Sequence, residues 1–182
     1  MGTIDESRFA KIYDLHHRQV YAYCRRRTDA ERAEDAVADT FLTAWRKIDQ
    51  VPEDDEALPW LFAVAYRVLG HQWRAASRQR RLREKLAATG RTYVEMPEDY
   101  IVVQQESQHI LRALSNLRAK DQEILRLTVW EELNHREIAE MFDITTDSVK
   151  KRLSRARKSL AREYERIERS LASPAAQKGG AW

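Results

Sequence analysis

The chain has 182 residues and a formal net charge of +3 at pH 7, and 34% of its residues are charged. Its five glycines and four prolines leave long uninterrupted stretches, which favours an all-α protein. No apolar run approaches the roughly 20 residues of a membrane span, and the acidic start MGTIDES is unlike a secretory signal. We therefore expect a cytoplasmic protein without membrane insertion, in which the single Cys24 excludes an internal disulfide.

The modest net charge conceals two regions of opposite sign. Between Arg67 and Lys85 the sequence has seven cations and one acid, whereas between Glu31 and Glu56 it has nine acids and three bases. The charge is therefore segregated along the chain, and the basic region is a candidate for contact with nucleic acid.

Two amphipathic helices are predicted first. Residues of core type recur at helical spacing along the first helix: Phe9, Ile12, Tyr13, His16, Val20 and Cys24. The second helix is predicted to begin at TDAE, residues 28–31, which has the capping-box pattern. Its core stripe consists of Val37, Phe41, Ala44, Trp45 and Ile48.

A third helix is predicted to begin at Pro59, after an acidic loop, and to continue to about Ala88. An aromatic ring and a file of basic side chains share one face of it: Trp60, Arg67, His71, Arg74, Arg78 and Arg81. A ring that heads a row of cations suits a single DNA strand, because bases stack on the ring while phosphates follow the cations. Two simpler interpretations stay open, in which Trp60 is a core or cap residue and His71 is a surface hydrogen-bonding residue.

The chain is predicted to fold as two small helical domains joined by a flexible linker. Residues 1–85 form the N-terminal domain, and residues 86–105 have no steady apolar period and are assigned to the linker. Residues 106–171 form the C-terminal domain, and residues 172–182 are predicted to be a disordered tail.

The segment LNHREIAEMFDITTDSVKKRLSRARKSL predicts a helix-turn-helix. Asn134 and Glu137 can cap a short helix, Asp143 can adopt the left-handed turn conformation, and Thr145 can cap the next helix. The second helix of such a motif enters the DNA major groove by its N-terminal end. The alternative is a helical hairpin whose basic face is merely solvated. The predicted DNA contacts are Thr146, Asp147, Ser148, Lys150, Lys151, Arg152, Ser154, Arg155 and Lys158.

Nothing in the sequence indicates catalysis or a cofactor. The sequence has no Gly-rich phosphate loop and no cluster of Cys and His at metal-ligand spacing. The adjacent His16 and His17 point to different faces of their helix, and Asp54 and Asp55 lie in a predicted loop with no base nearby. We expect neither enzymatic activity nor a bound metal or cofactor.

Three motifs, in order, resemble one family. The motifs are AEDAVADTFLTAWRKI, then LPWLFAVAYRVLGHQWRAASRQRR, then the helix-turn-helix. Together they are similar to bacterial sigma factors of the extracytoplasmic-function (ECF) group, over roughly residues 6–170. The resemblance implies a subunit that binds core RNA polymerase and promoter DNA. It implies that the C-terminal domain recognises the minus-thirty-five element, that the N-terminal domain opens the minus-ten element, and that an anti-sigma protein inhibits the chain.

The resemblance also implies roles for individual residues. It places the flipped-out base of the minus-ten element at the loop 50–58, beside Trp60, Arg67, His71 and Arg74, and it places Lys150, Lys151, Arg152 and Arg155 on the upstream element. It assigns a contact with the polymerase clamp to Asp35, Asp39, Leu42, Trp45 and Arg46. The chain departs from the common family pattern at Tyr66, Arg67 and His71, and it has Asp143 where the turn usually has glycine.

One alternative belongs to another class of protein. A two-domain helix-turn-helix regulator that binds duplex DNA without acting as a polymerase subunit would share the second domain's motif. It predicts tight promoter binding by the isolated protein, whereas the sigma-factor interpretation predicts binding that needs polymerase.

Overall fold

A computed structural model describes residues 3–86 and 105–172, with side chains described for residues 5–75 and 108–170. These residues form seven α-helices and two short 3-10 segments and contain no β-strand, so the all-α prediction is confirmed for them. The chain divides into two compact units, Met1–Glu98 and Asp99–Trp182. The predicted linker and tail lie almost wholly outside the described residues, so the domain boundaries stay a prediction.

The first unit consists of α1 (Thr3–Arg25), α2 (Ala30–Arg46) and α3 (Ala57–Leu86), and each helix packs against the other two. The ring of Tyr23 is fully buried and stacks on Phe62, with 4.8 Å between the ring centroids. The guanidinium carbon of Arg27 lies 3.5 Å from the centroid of the Tyr23 ring. Cys24 is also buried, as expected of a core residue.

The predicted start of α2 is wrong by one residue. Asp29, not Thr28, is the N-cap: its side chain accepts a hydrogen bond of 2.9 Å from the Arg32 amide, and its backbone is extended. Thr28 is instead buried, with 6% of its surface exposed. Two neighbouring residues could each supply a capping oxygen, and the packing of Thr28 decides between them.

The predicted start of α3 is also shifted. A 3-10 segment, Asp54–Glu56, leads directly into α3, which begins at Ala57, two residues before Pro59. Pro59 still lies in the first turn, where an amide has no intrahelical partner, and proline is therefore tolerated there. α3 is described as far as Leu86, so the predicted end at Ala88 lies outside the described residues.

The second unit consists of α4 (Gln105–Ser115), α5 (Ala119–Val129), α6 (His135–Phe142) and α7 (Thr146–Ala172). The long helix α7 contacts each of the other three. The core side chains of this unit include Ile124, Leu127, Ile138 and Val149, none of which is more than 1% exposed.

Candidate nucleic-acid interface

The helix-turn-helix has the local geometry that its sequence predicts. The side chain of Asn134 accepts hydrogen bonds from the amides of Arg136 and Glu137, and the Glu137 carboxylate accepts one of 2.7 Å from the Asn134 amide. Asp143 lies in the left-handed region at φ 52° and ψ 54°. Thr145 Oγ1 accepts a hydrogen bond of 3.2 Å from the Ser148 amide and so caps α7.

One stripe of α7 is buried and the rest of its N-terminal half faces solvent. Val149, Leu153 and Ala156 are buried, and Leu160 is half-buried. Most of the predicted DNA contacts are exposed: Thr146, Asp147, Lys150, Lys151, Ser154, Arg155 and Lys158. A buried stripe opposite a row of exposed cations fixes the helix in the unit while it leaves the basic face open to an anionic partner.

Two of the predicted DNA contacts have different surroundings. Ser148 is half-buried, and its hydroxyl lies 2.9 Å from Thr145 Oγ1, so that it takes part in the cap. Arg152 is also half-buried, since it lies beside the buried stripe. Lys150 Nζ lies 3.9 Å from Asp147 Oδ1, and this exposed pair holds two predicted contacts on one side of the helix start.

The predicted stripe of α3 also lies opposite a buried arc. Arg67, His71 and Arg74 are exposed and Trp60 is half-buried, whereas Leu61, Val64 and Ala65 are buried and Val68 is half-buried. Arg78 and Arg81 lie in α3 as well, but their side chains are outside the described ones. The described part of the stripe therefore brings one ring and three basic groups to a single surface.

The guanidinium of Arg74 lies beside Gly70, one turn earlier in α3. A Cβ atom built at Gly70 would lie 3.5 Å from Arg74 Nη1, at ordinary contact distance. The guanidinium of Arg74 therefore lies against the backbone of the preceding turn. This arrangement presents the planar group along the helix surface rather than straight out into solvent.

The loop between α2 and α3 has fixed ends and an acidic tip. Val51 and Ala57 are 2% and 3% exposed, whereas all four acids from Glu53 to Glu56 are exposed. Asp54 has a φ of 51°, in the left-handed region, which turns the chain sharply at the tip.

The predicted polymerase contacts on α2 form an exposed face with one exception. Asp35, Asp39 and Arg46 are exposed, and Leu42 is 44% exposed although it is a large apolar residue. The exception is Trp45, which is half-buried rather than exposed, because its ring packs edge-on against Phe9 at 5.2 Å between centroids.

A groove of about 340 Å³ between α1 and α2 was not predicted. The Tyr13 ring lies 4.7 Å from the His17 ring and 4.8 Å from the Phe41 ring, between centroids. The spacing of four residues between the aromatic side chains of α1 is the sequence signal that could have indicated it. The groove is lined by Tyr13, His17, Tyr21, Glu34, Val37 and Ala38.

Neither metal binding nor membrane crossing has support in the part of the chain that the structure describes. Within residues 5–75 and 108–170, no group of three or more His, Cys, Asp or Glu side chains could hold a metal ion. None of the helices in the described ranges is both long and apolar enough to cross a membrane.

Comparison with protein families gives two matches from one family. The model of sigma-70 region 2 matches residues 12–79 and the model of sigma-70 region 4 matches residues 107–160. The first match contains the exposed face of α2 and the α3 stripe as far as Arg78, and the second contains the helix-turn-helix. The two matches together span about two thirds of the chain.

Individual proteins give the same result over most of the chain. The chain is 27% identical over 168 residues to the ECF RNA polymerase sigma factor SigW of Bacillus subtilis, which covers 87% of this chain and 90% of that protein. It is 29% identical over 155 residues to the ECF RNA polymerase sigma factor SigL of Mycobacterium tuberculosis, with 82% of this chain and 84% of that protein covered.

Two solved structures share the fold. One is the sigma factor RpoE in complex with the anti-sigma factor NepR from Bartonella quintana, with a TM-score of 0.65 and 23% identity over 86% of this chain and 96% of that chain. The other is CnrH in complex with the cytosolic domain of CnrY, with a TM-score of 0.55, 18% identity and 84% of each chain covered.

Proposed function

Because the chain belongs to the extracytoplasmic-function group of the sigma-70 family of RNA polymerase sigma factors, we propose that its first unit opens the minus-ten element and its second unit reads the minus-thirty-five element. Membership in this family makes the chain a polymerase subunit that directs promoter recognition. The observation that supports these two separate roles is the presence of two basic surfaces with different chemistry, one in each unit. Only the surface on α3 has an aromatic ring at its head.

On α3, Trp60 stacks on an unpaired base while the guanidiniums of Arg67 and Arg74 contact the phosphates of the same strand. Stacking on an aromatic side chain contributes about 1 to 3 kcal/mol per base and needs bases that have left the duplex. Trp60 is half-buried, and the acidic loop at 50–58 receives the extruded base beside it. This surface therefore favours the open strand over the duplex.

On α7, the exposed residues from Thr146 to Lys151 enter the major groove, and Arg155 and Lys158 contact phosphates. The cap at Thr145 and the left-handed turn at Asp143 set the angle at which α7 leaves the turn. Because the groove is about 12 Å wide, it admits one helix, and the start of α7 reaches the base edges first.

The exposed face of α2 binds the polymerase clamp. Asp35, Asp39 and Arg46 supply charge at its rim, and Leu42 supplies an exposed apolar side chain of the kind found at the centre of interfaces. Trp45 supports this face through its contact with Phe9. The same face belongs to the acidic region of the sequence, which keeps it distinct from the DNA surfaces.

We also propose that an anti-sigma protein inhibits this chain. Two structures that share its fold, RpoE with NepR and CnrH with the cytosolic domain of CnrY, are complexes of a chain of this fold with a second protein, in the first case an anti-sigma factor. A partner that contacts both units at once would keep the two DNA surfaces from engaging together.

We further propose that the chain acts in the cytoplasm, as a transcription subunit without enzymatic activity of its own.

Run-off transcription with purified core polymerase tests the proposal. Core polymerase with this chain should produce discrete transcripts from a library of promoter fragments, whereas core alone should not. The isolated chain should bind the same fragments only weakly. Tight binding to duplex promoters by the isolated chain, together with no transcript, would instead identify a regulator that does not act as a polymerase subunit.

A further inference from the structure

We propose that Arg8 is a positioning residue for the loop 50–58, and that its guanidinium sets how this loop receives the unpaired base. The inference rests on the proposed role of the loop in opening the minus-ten element. Arg8 lies near the start of α1, about forty residues before the loop, and no motif in the sequence connects the two.

The contact between Arg8 and the loop has two hydrogen bonds. Arg8 Nη1 donates to the carbonyl oxygen of Ile48 at 3.1 Å, and Nη2 donates to that of Val51 at 2.6 Å. The Arg8 side chain is half-buried, and both acceptors belong to buried residues. The contact is therefore partly shielded from water. Charge-assisted hydrogen bonds are stronger in such shielded positions than at an open surface.

The chemistry of these two acceptors explains why an arginine is suited to them. Ile48 begins a 3-10 segment, Ile48–Gln50, and its carbonyl also accepts a hydrogen bond of 3.3 Å from the Val51 amide, so Arg8 uses the second lone pair of this oxygen. Pro52 follows directly and has no amide to offer. A guanidinium presents two donors in a fixed fork, so one side chain can bind both carbonyls at once.

Anchoring Val51 determines where the loop tip can lie. Arg8 holds the entrance of the loop at Val51, and the buried Ala57 holds its exit at the start of α3. Between these points lie only Pro52 and the four exposed acids. Carboxylates repel phosphates but accept hydrogen bonds from the amino groups of bases, so the tip discriminates between bases if it is held in place. Recognition of this kind needs groups held to within about 0.5 Å.

The test compares Arg8→Gln and Arg8→Lys with Arg18→Gln, which removes the same charge from an exposed position on the same helix. Reconstituted holoenzymes would transcribe a pool of promoters that carry each base at each minus-ten position. We expect Arg8→Gln to relax the preference at the position of the extruded base by roughly five- to tenfold, with other positions unchanged. Arg8→Lys should lose part of this preference, because one ammonium cannot span both carbonyls in the same geometry. Arg18→Gln should match the wild type.

Hydrogen exchange of the same variants reports the anchor directly. Residues 51–56 should exchange faster in Arg8→Gln than in Arg18→Gln, while α2 and α3 keep their protection. A folded Arg8→Gln protein with wild-type base preference, or with an equal loss at every promoter, would overturn the inference and leave Arg8 a purely structural residue. If Arg8→Gln does not fold, Arg8→Lys decides by the same criteria.

A loop variant separates this inference from the proposed function. Asp54→Asn combined with Asp55→Asn changes the chemistry of the tip and leaves the anchor in place, because asparagine tolerates the left-handed conformation of residue 54. If this variant alters no minus-ten preference, the proposed role of the loop is wrong. If it alters the preference and the Arg8 variants do not, only the inference about Arg8 is wrong.

Discussion

Asn116 Nδ2 donates a hydrogen bond of 3.1 Å to Glu163 Oε2, and this bond ties the turn after α4 to the middle of α7. Arg166 donates two further hydrogen bonds to the same carboxylate oxygen, one of 2.7 Å through Nη2 and one of 3.1 Å through Nε. A second tie joins the same two helices, since His109 Nδ1 lies 2.7 Å from Glu168 Oε1. The helix that enters DNA in our proposal is therefore braced by side chains well beyond its DNA-binding end.

The carboxylate of Glu163 makes part of this bracing dependent on pH. The hydrogen bonds from Arg166, and after them the one from Asn116, hold the pKa of Glu163 below its ordinary value of 4.5. A carboxylate with a lowered folded-state pKa stabilises the fold above its unfolded-state pKa and loses this contribution as the pH falls through the folded-state pKa. We therefore expect Glu163→Gln to weaken the loss of stability of α4 and α7 as the pH falls below 4.5.

Hydrogen exchange of α4 and α7 amides over a series of acidic pH values, corrected for the intrinsic exchange rate, measures this effect. Glu165→Gln, an exposed position on the same helix, is the matched control and should follow the wild type. Identical pH profiles for Glu163→Gln and the wild type would show that the carboxylate does not contribute.

The exposed face of α2 provides a second prediction. Asp39→Arg combined with Leu42→Ala reverses a rim charge and removes the exposed apolar side chain, so we expect core polymerase affinity to fall by about tenfold or more. The control is Asp14→Arg combined with Leu15→Ala, which makes the same changes on α1, where Leu15 is 59% exposed. A titration of labelled core polymerase gives both affinities. Equal affinities for the two double variants, with native circular dichroism spectra, would remove the clamp contact from this face.

Local sequence signals were enough to predict much of the structure of the second unit. Asn134, Glu137 and Asp143 form a cap and a turn from residues within ten positions of one another, so their chemistry is legible in the sequence. The start of α2 was harder, because Thr28 and Asp29 can both cap a helix and only packing distinguishes them.

Contacts between distant parts of the chain could not be predicted in this way. Arg8 binds the carbonyls of Ile48 and Val51. Every residue has a backbone carbonyl, so the sequence does not indicate which carbonyls bind a distant side chain. The contact of Trp45 with Phe9 likewise depends on how α1 and α2 pack. Helical periodicity indicates which face of a helix is buried, but not which groups on another helix that face meets.

The stripe on α3 provides a third prediction, which separates strand opening from promoter binding. Trp60→Ala and Arg74→Ala should reduce formation of the open complex on duplex promoters, and a pre-melted bubble should partly restore it. Loss of the ring removes about 1 to 3 kcal/mol per stacked base. Permanganate footprinting of unpaired thymines measures the defect.

Trp73→Ala is the matched control for the ring, because Trp73 lies on the same helix, is 40% exposed, and falls outside the stripe. It should open promoters as the wild type does. Arg74 is exposed, so its substitution is expected to leave the fold intact. Normal opening by a folded Trp60→Ala protein would assign Trp60 to the core.

The exposed cations of α7 provide the last prediction. Substitutions at the start of the helix and substitutions further along it should have different effects on DNA binding. Lys151→Ala removes a contact to base edges, so it should relax preference at one minus-thirty-five position by about 1 to 3 kcal/mol. Arg155→Ala removes a phosphate contact, so it should weaken binding to all promoter variants evenly and reduce the salt slope by about one. Binding of holoenzyme to a randomised upstream element at several salt concentrations distinguishes the two effects. Arg112→Ala, an exposed cation on α4, should change neither quantity. If Lys151→Ala and Arg155→Ala behave like this control, the charge of α7 is only solvated, and upstream recognition must lie elsewhere in the chain.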